Sequence, residues 1–292
     1  MKKLTKILSL VLAIALAVGV FAACGAKKGG NDDDACKTKD AVVKTVDINL
    51  TQEEYAFGVK KNDPELLKAV NDYIAKIKSD GTLDTIMAKY FSGEGTPALI
   101  ESAAEDSSKD QLVVATNAEF PPFEYMEGSA FTGVDMEIMK GLADELGKEL
   151  VIKETSFDSI FTSMDAEYAD IAASGITIKE DRKEHVTFTD SYYLASQMII
   201  APAGDTAFDN CKTKEDVEAV LKGFGSDVII GVQAGTTGEL YVLGEDGFEK
   251  LNCTCKSYES GAQAAADMVN GNIQYVIIDE APAKSIAASV NG

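Results

Sequence analysis

The chain predicts an α/β protein of two lobes, each built on a helix-covered, mostly parallel sheet. Three observations predict it. Residues 112–177 and residues 205–288 each alternate short apolar strands with amphipathic helices at short loop spacing. The apolar stretch SQMIIAP, 196–202, joins the two runs as one more strand. The length of 292 residues is ample for one large core or two smaller ones.

Taken in order, VKTVDINL (43–50) has strand character and YAFGVK (55–60) follows as a second strand. Asp63-Pro64 starts a helix, because Asp can cap it and Pro suits its first position. Leu66, Leu67, Val70, Ile74 and Ile77 share one face of that helix, and Gly81 ends it. Leu83, Ile86, Met87, Tyr90 and Phe91 stripe a second helix. Residues 92–110 turn small, polar and acidic, as a linker does.

The first alternation then gives strand 112–116, helix 134–146, strand 149–153, helix 158–165, strand 169–173 and a helix after Thr177. The second gives helix 214–222, strand 228–232, a helix after Thr237, strand 251–257, helix 260–269, strand 274–278 and helix 281–288. It ends on a helix with no closing strand, while the chain opens with the orphan strand 43–50.

Lys2 and Lys3 precede the apolar run Ile7–Ala23, and Cys24 follows two alanines. This is the pattern of a lipoprotein signal peptide (1–23) with Cys24 as the lipidation site. An uncleaved anchor helix fits less well, because the run is shorter than the ~20 apolar residues of a span. The polar stretch that follows, to residue 40, reads as a flexible tether. Localisation on the extracytoplasmic face of a bacterial membrane follows. A net charge of −21 argues against nucleic acid as a partner.

Cys36, Cys211, Cys253 and Cys255 show no C-x-x-C spacing, so no metal is expected. Cys253 and Cys255 share a strand face and cannot easily pair with each other. Pairing of one of them with Cys211 or Cys36 is expected ahead of free thiols.

Four stretches carry chemistry. ATNAEFPPFEY (115–125) breaks a strand into a loop whose Phe120, Phe123 and Tyr125 either wall a pocket or pack a core. In SGITIKEDR (174–182), Thr177 and Glu180 read as a capping box that opens a helix. Arg182 then points back to a helix end that favours anions, or else pairs on the surface with Glu180 or Asp181. In IIGVQAGTTGEL (229–240), Thr236 and Glu239 form a second such box. YVIIDEAP (275–282) ends a buried strand on Asp279, which can accept an ammonium group, cap the next helix, or both. An anion clamp and an acid together suit an α-amino acid.

VVATNAEFPPFEY, FTGVDMEIMKGLADELG, ADIAASGITIKEDR, VTFTDSYY, GVQAGTTGE and YVIIDEAPA occur in that order within 112–291. The set resembles the family 3 extracellular solute-binding proteins, the capture subunits of polar amino-acid ABC transporters. The resemblance implies a two-lobed periplasmic-binding-protein-like fold closing over an amino acid, a permease as partner, and neither catalysis nor a cofactor. It also implies that Arg182 grips the α-carboxylate with Thr177 and the Thr237 N–H, and that Asp279 takes the ammonium. Ser174 and Gly175 offer polar contacts, and Phe120 and Phe157 flank the ligand. Asn117 stands where many members carry Asp, with Glu119 as an acid nearby. Gln233, beside Thr236, holds a position that is often basic or polar.

In that family two C-terminal helices follow a returning strand and a hinge strand. Here the matching segment, 43–91, comes first, so the chain resembles a circularly permuted member joined by two hinge strands, one of them 54–60. The expected division is lobe 2 from 41–52 plus 204–292, and lobe 1 from 53–94 plus 111–203. Residues 95–110 form the permutation linker. A tandem remnant and a swapped dimer are the rival accounts of the early segment. A sensor or adhesin, and an enzyme on the same scaffold, are the rival functions. No catalytic pattern accompanies the single histidine, His185.

Overall fold

The computed structural model describes residues 41–292. The expected signal peptide and tether, with Cys24 and Cys36, lie outside the described residues. The chain begins with β1 (Val43–Val46), β2 (Glu53–Tyr55), β3 (Gly58–Lys60), α1 (Pro64–Ser79) and α2 (Thr82–Phe91). The next run is β4 (Gln111–Thr116), β5 (Glu119–Phe120), β6 (Glu124–Glu127), β7 (Ala130–Thr132), α3 (Val134–Leu146) and β8 (Glu149–Glu154). It continues with α4 (Ile160–Asp165), β9 (Ile171–Ala172), β10 (Val186–Phe188), β11 (Tyr193–Ala195) and β12 (Gln197–Pro202). The last run is α5 (Lys214–Lys222), β13 (Ile229–Gln233), α6 (Thr237–Leu243), β14 (Thr254–Tyr258), α7 (Gly261–Val269), β15 (Tyr275–Asp279) and α8 (Glu280–Asn291).

Two five-stranded sheets share one plan. The first has the order β8-β4-β9-β3-β10 and the second β14-β13-β15-β12-β1. In the first, β4 runs parallel to β8 and β9, while β3 is antiparallel to both β9 and β10. In the second, β13 runs parallel to β14 and β15, while β12 is antiparallel to β15 and β1. Each sheet is therefore parallel except for one reversed strand. That strand enters from the crossing segments β2 and β11, which pair antiparallel with each other between the lobes.

The crossing falls earlier than the sequence division placed it. β12 is apolar and buried almost throughout, and it lies between β1 and β15. Residues 197–202 thus belong to the second sheet, not to the first lobe as expected.

The early segment is part of both sheets. β1 forms an edge of the second sheet and β3 an inner strand of the first. In α1, the Asp63 side chain accepts from the Leu66 N–H at 3.0 Å with Pro64 at the first position, as the sequence predicts. Its buried face is Val70, Tyr73, Ile74 and Ile77. Burying such side chains contributes about 1.5–3 kcal/mol each. α1 and α2 lie against α3: Tyr90 donates to Glu137 at 3.0 Å, and Lys76 pairs with Glu145 at 2.7 Å. The Tyr73 hydroxyl sits 2.0 Å from where a Cβ on Gly141 would stand, so only glycine admits this approach.

Within the segment 95–110, residues 97–103 carry the packing. Ile100 is buried and exchanges two backbone hydrogen bonds with Phe131, each 2.8 Å. Ala103 donates to the Leu150 carbonyl at 2.9 Å, and Ser102 Oγ accepts from the Ile152 N–H at 2.8 Å. The Ala103 and Ser102 contacts cover the open edge of β8, which would otherwise present unpaired backbone groups.

Two local expectations change. No α-helix follows Thr177: its backbone bridges Tyr55, and the chain makes only a 3₁₀ turn at Arg182–Glu184. The long-range pairing to the crossing strand overrides the local capping signal. Cys211, Cys253 and Cys255 pack against the second lobe's core and form no disulfide with one another, and a bond to Cys36 lies outside the described residues.

Candidate functional site

The carboxyl ends of the parallel strands in both sheets meet at the seam between the lobes. Asn117 follows β4, and Ser174 and Gly175 follow β9; Gln233 ends β13 and Asp279 ends β15. Strand ends of this kind are where open α/β sheets bind ligands.

Arg182 is the only arginine in the chain and is 4% exposed. Its Nη1 donates back to the Thr177 carbonyl at 2.9 Å. Its Nη2 donates across the seam to the Gly235 carbonyl at 3.0 Å. The guanidinium lies 5.3 Å from the Phe157 ring and 5.2 Å from the Phe161 ring. No salt bridge to Arg182 occurs among the described residues, so Glu180 and Asp181 do not neutralise it. Burial lowers its pKa, and the nearby Asp181, Glu53 and Asp279 oppose that. A buried charge without an ion pair is costly, and an arriving carboxylate would relieve it.

The opposite pole is acidic. Asp279 is 5% exposed and accepts from the Tyr55 hydroxyl at 2.5 Å. Burial, with the charge of Glu53 adding to it, raises its pKa to about 7. Glu53, on β2, takes Thr51 Oγ1 at 2.5 Å and Gln197 Nε2 at 3.1 Å on one oxygen. Its other oxygen takes Thr177 Oγ1 at 2.7 Å. The Thr177 hydroxyl has spent its proton, so it meets a ligand as an acceptor. Thr237 Oγ1 approaches it across the seam at 3.4 Å.

A third group closes the seam further along. Gln233 Nε2 donates to Asn117 Oδ1 at 2.9 Å, and Asn117 Nδ2 donates to the Thr155 carbonyl at 3.0 Å. Gln233 Oε1 is buried without a partner among the described residues. Phe120 and Phe157 are buried on the first lobe's side. Phe120 presses on Gly175, whose φ of +50° and crowding admit no side chain without strain. Lys179, almost fully buried, pairs across the seam with Asp246.

Most of the residues expected in the site gather here. Thr236 lies at the seam, but its hydroxyl donates to the Gln233 carbonyl at 2.7 Å, so it does not cap α6 as expected. Glu239 bonds the Gly235 N–H instead, at 2.7 Å. Glu119 is the exception: it is exposed on β5 while its neighbour Phe120 is buried, as alternate strand positions face opposite ways. Glu53, Tyr55 and Gln197 are in the site but were not expected there. The adjacent acids in TQEEYAF (51–57) were the one available signal. A cavity of about 530 Å³ opens on the hinge side, lined by Glu53, Thr177, Thr237 and Lys214 among others.

Two α/β lobes joined by paired crossing strands, with a buried cation facing buried acids across the seam, define a two-lobed ligand-capture protein. The chain belongs to the bacterial extracellular solute-binding proteins, family 3, whose model matches residues 6–93 and 112–280. It is 33% identical over 138 residues to the arginine-binding extracellular protein ArtP of Bacillus subtilis, covering 47% of this chain and 49% of that protein. It is 30% identical over 172 residues to a probable histidine-binding protein of Neisseria gonorrhoeae, covering 58% of each. The chain thus spans about half to three fifths of the length of these curated relatives. Among solved structures it resembles holo ArgBP from T. maritima, with a TM-score of 0.52 and 32% identity over 61% of this chain and 73% of that one. It also resembles the ancestral amino acid-binding protein AncCDT-1, with a TM-score of 0.54 and 29% identity over 71% and 78%.

Proposed function

We propose that this protein captures an L-amino acid between its lobes and delivers it to an ABC transporter permease. Cys24 carries the lipid that holds it at the outer face of the membrane. The observation that carries the reading is the lone arginine, buried at the seam with no salt-bridge partner among the described residues and with Asp279 and Glu53 near it. An α-amino acid supplies both missing partners at once. Its carboxylate takes the free guanidinium donors of Arg182, and its ammonium takes Asp279 and the acceptor oxygen of Thr177. Asn117, Gln233, Phe120, Phe157, Ser174, Gly175, Thr236 and Thr237 form the remaining walls.

The side-chain end is made of two amides, Asn117 and Gln233, with an unpartnered buried carbonyl on the latter. That favours a neutral polar side chain able to donate, such as an amide, over the cationic side chains named for the relatives. The lobes close by movement about β2 and β11, which cross between them.

The permuted order also belongs to this proposal. Two separate family matches and partial spans along the relatives support it, since a colinear comparison of a permuted chain covers one segment at a time. Calorimetric titration with L-glutamine, L-asparagine, L-arginine and L-histidine tests the ligand reading. Tight binding of an amide amino acid supports it, and heat from none of the four counts against it.

A further inference from the structure

Behind the Ser174–Gly175 turn lie two more carboxyl groups that the amino-acid site does not use. Glu124, at the start of β6, and Asp135, in the first turn of α3, are both 0% exposed. Neither forms a salt bridge with a lysine, arginine or histidine among the described residues. Two buried carboxylates without a cation cannot both stay ionised.

The hydrogen bonds assign the roles. Asp135 accepts twice: from the Tyr192 hydroxyl at 2.6 Å and from the Gly175 N–H at 3.0 Å. Its place at a helix N-terminus also favours negative charge. Glu124 Oε1 accepts from Ser174 Oγ at 3.0 Å. Glu124 Oε2 is buried with no hydrogen-bond partner among the described residues, and Asp135, bonded to the adjoining Gly175, is near enough to act on the Glu124 carboxyl. An oxygen so placed is satisfied only by carrying a proton itself.

We infer that Glu124 is a neutral acid donating from Oε2 to Asp135, and that this pair positions the binding turn. The relay runs from the Asn117 N–H to Ser174 Oγ at 3.1 Å, from Ser174 to Glu124, and from Glu124 to Asp135, which also accepts from the Gly175 N–H. Asn117, Ser174 and Gly175 are all walls of the proposed site, so removing the shared proton loosens three of them together.

Burial, with Asp135 adding its charge, holds the Glu124 carboxyl well above the usual range; burial also raises Asp135. Around the pair stand Tyr192 from the segment before β11, Asp279 from β15 and Tyr193 on β11. The tyrosines are neutral and Asp279 adds negative charge, so each neighbour either favours the proton or is indifferent to it.

Only the effect on ligand affinity rests on the proposed function; the protonation itself does not. Infrared spectroscopy of the full chain without ligand at about pH 8 reads it through the C=O stretch of an un-ionised carboxylic acid. The band is expected in the wild type, absent in Glu124→Gln and retained in Glu119→Gln. Glu124→Gln preserves both hydrogen bonds without a titrating proton. Its melting temperature should therefore fall less than that of the wild type as pH rises above neutrality. Glu124→Ala, which strands Ser174, should melt lower throughout. No band, a band that survives Glu124→Gln, or a melting profile of Glu124→Gln that tracks the wild type overturns the inference.

Discussion

The side chain of Asn291 grips the backbone of Val43, donating to its carbonyl at 3.0 Å and accepting from its N–H at 3.1 Å. It also accepts from the Val42 N–H at 2.8 Å. The end of α8 thus meets the start of β1 across 248 positions of sequence. In the proposed permuted reading, these two elements are the pair that the change of chain order has separated.

That contact predicts a stability effect. Asn291→Ala removes the three bonds and should cost about 1–2 kcal/mol, most of it from backbone groups left without partners. Urea denaturation would show a lower midpoint with an unchanged slope. A chain reopened within 95–110, with Gly292 joined to Ala41 by a short linker, should keep the same fold and ligand. Failure of that rearranged chain to fold would contradict the permuted reading, as would a dimer held by exchange of β1.

Gly175 predicts a second effect. A Cβ there would meet Phe120 Cε1 at 2.9 Å and Tyr55 Cε2 at 3.2 Å, at a φ that side chains rarely adopt. Gly175→Ala should lose about 1–3 kcal/mol. It should weaken ligand binding more than substitution at the exposed Gly147, where nothing crowds the added atom. Equal affinity for the two variants by calorimetry would show that Gly175 is not part of the site.

Asp279 sets a pH dependence. Its pKa in the empty protein is raised to about 7 by burial and by Glu53. A raised carboxyl contributes stability that is complete below its unfolded value, near 4, and is lost as pH rises through about 7. The empty protein should therefore melt progressively lower from about pH 4 to pH 8. Ligand affinity should move the opposite way, because the ammonium needs the ionised form, and should weaken as pH falls below about 7. Asp279→Asn should flatten the Asp279 part of both slopes. An affinity independent of pH from about 5 to 8 would remove Asp279 from the ammonium pole.

The amide pair at the side-chain end predicts a specificity change. Asn117→Asp places a carboxylate beside Gln233 and should favour L-arginine over L-glutamine by about tenfold or more relative to the wild type, the scale of one charge-assisted hydrogen bond. Paired titrations with the two ligands measure the ratio.

Much of this arrangement is legible in the sequence. Helical stripes such as Val70, Ile74 and Ile77, and the apolar strands ending on Gln233 and Asp279, mark the elements that carry the seam. Arg182 is legible by its place after a strand end. Its surroundings are not: the capping pattern at Thr177 points to a helix, while the structure pairs Thr177 with Tyr55 and gives its hydroxyl to Glu53. Glu53 is 124 positions away from Thr177 and sits on a three-residue strand too short to show a period. The Glu124–Asp135 pair is hidden for a related reason. Each acid looks like an ordinary polar residue beside apolar ones, and only folding buries them both.

The most direct test is a thermal-shift titration of the full chain with each L-amino acid, run in parallel on Arg182→Met. The substitution keeps most of the volume and removes the buried charge, so the empty variant should melt close to the wild type. In the wild type at least one amino acid at about a hundred times its Kd should stabilise by about 2.7 kcal/mol, a shift of several degrees, and Arg182→Met should lose that shift. No shift with any amino acid, or an undiminished shift in Arg182→Met, would contradict the account.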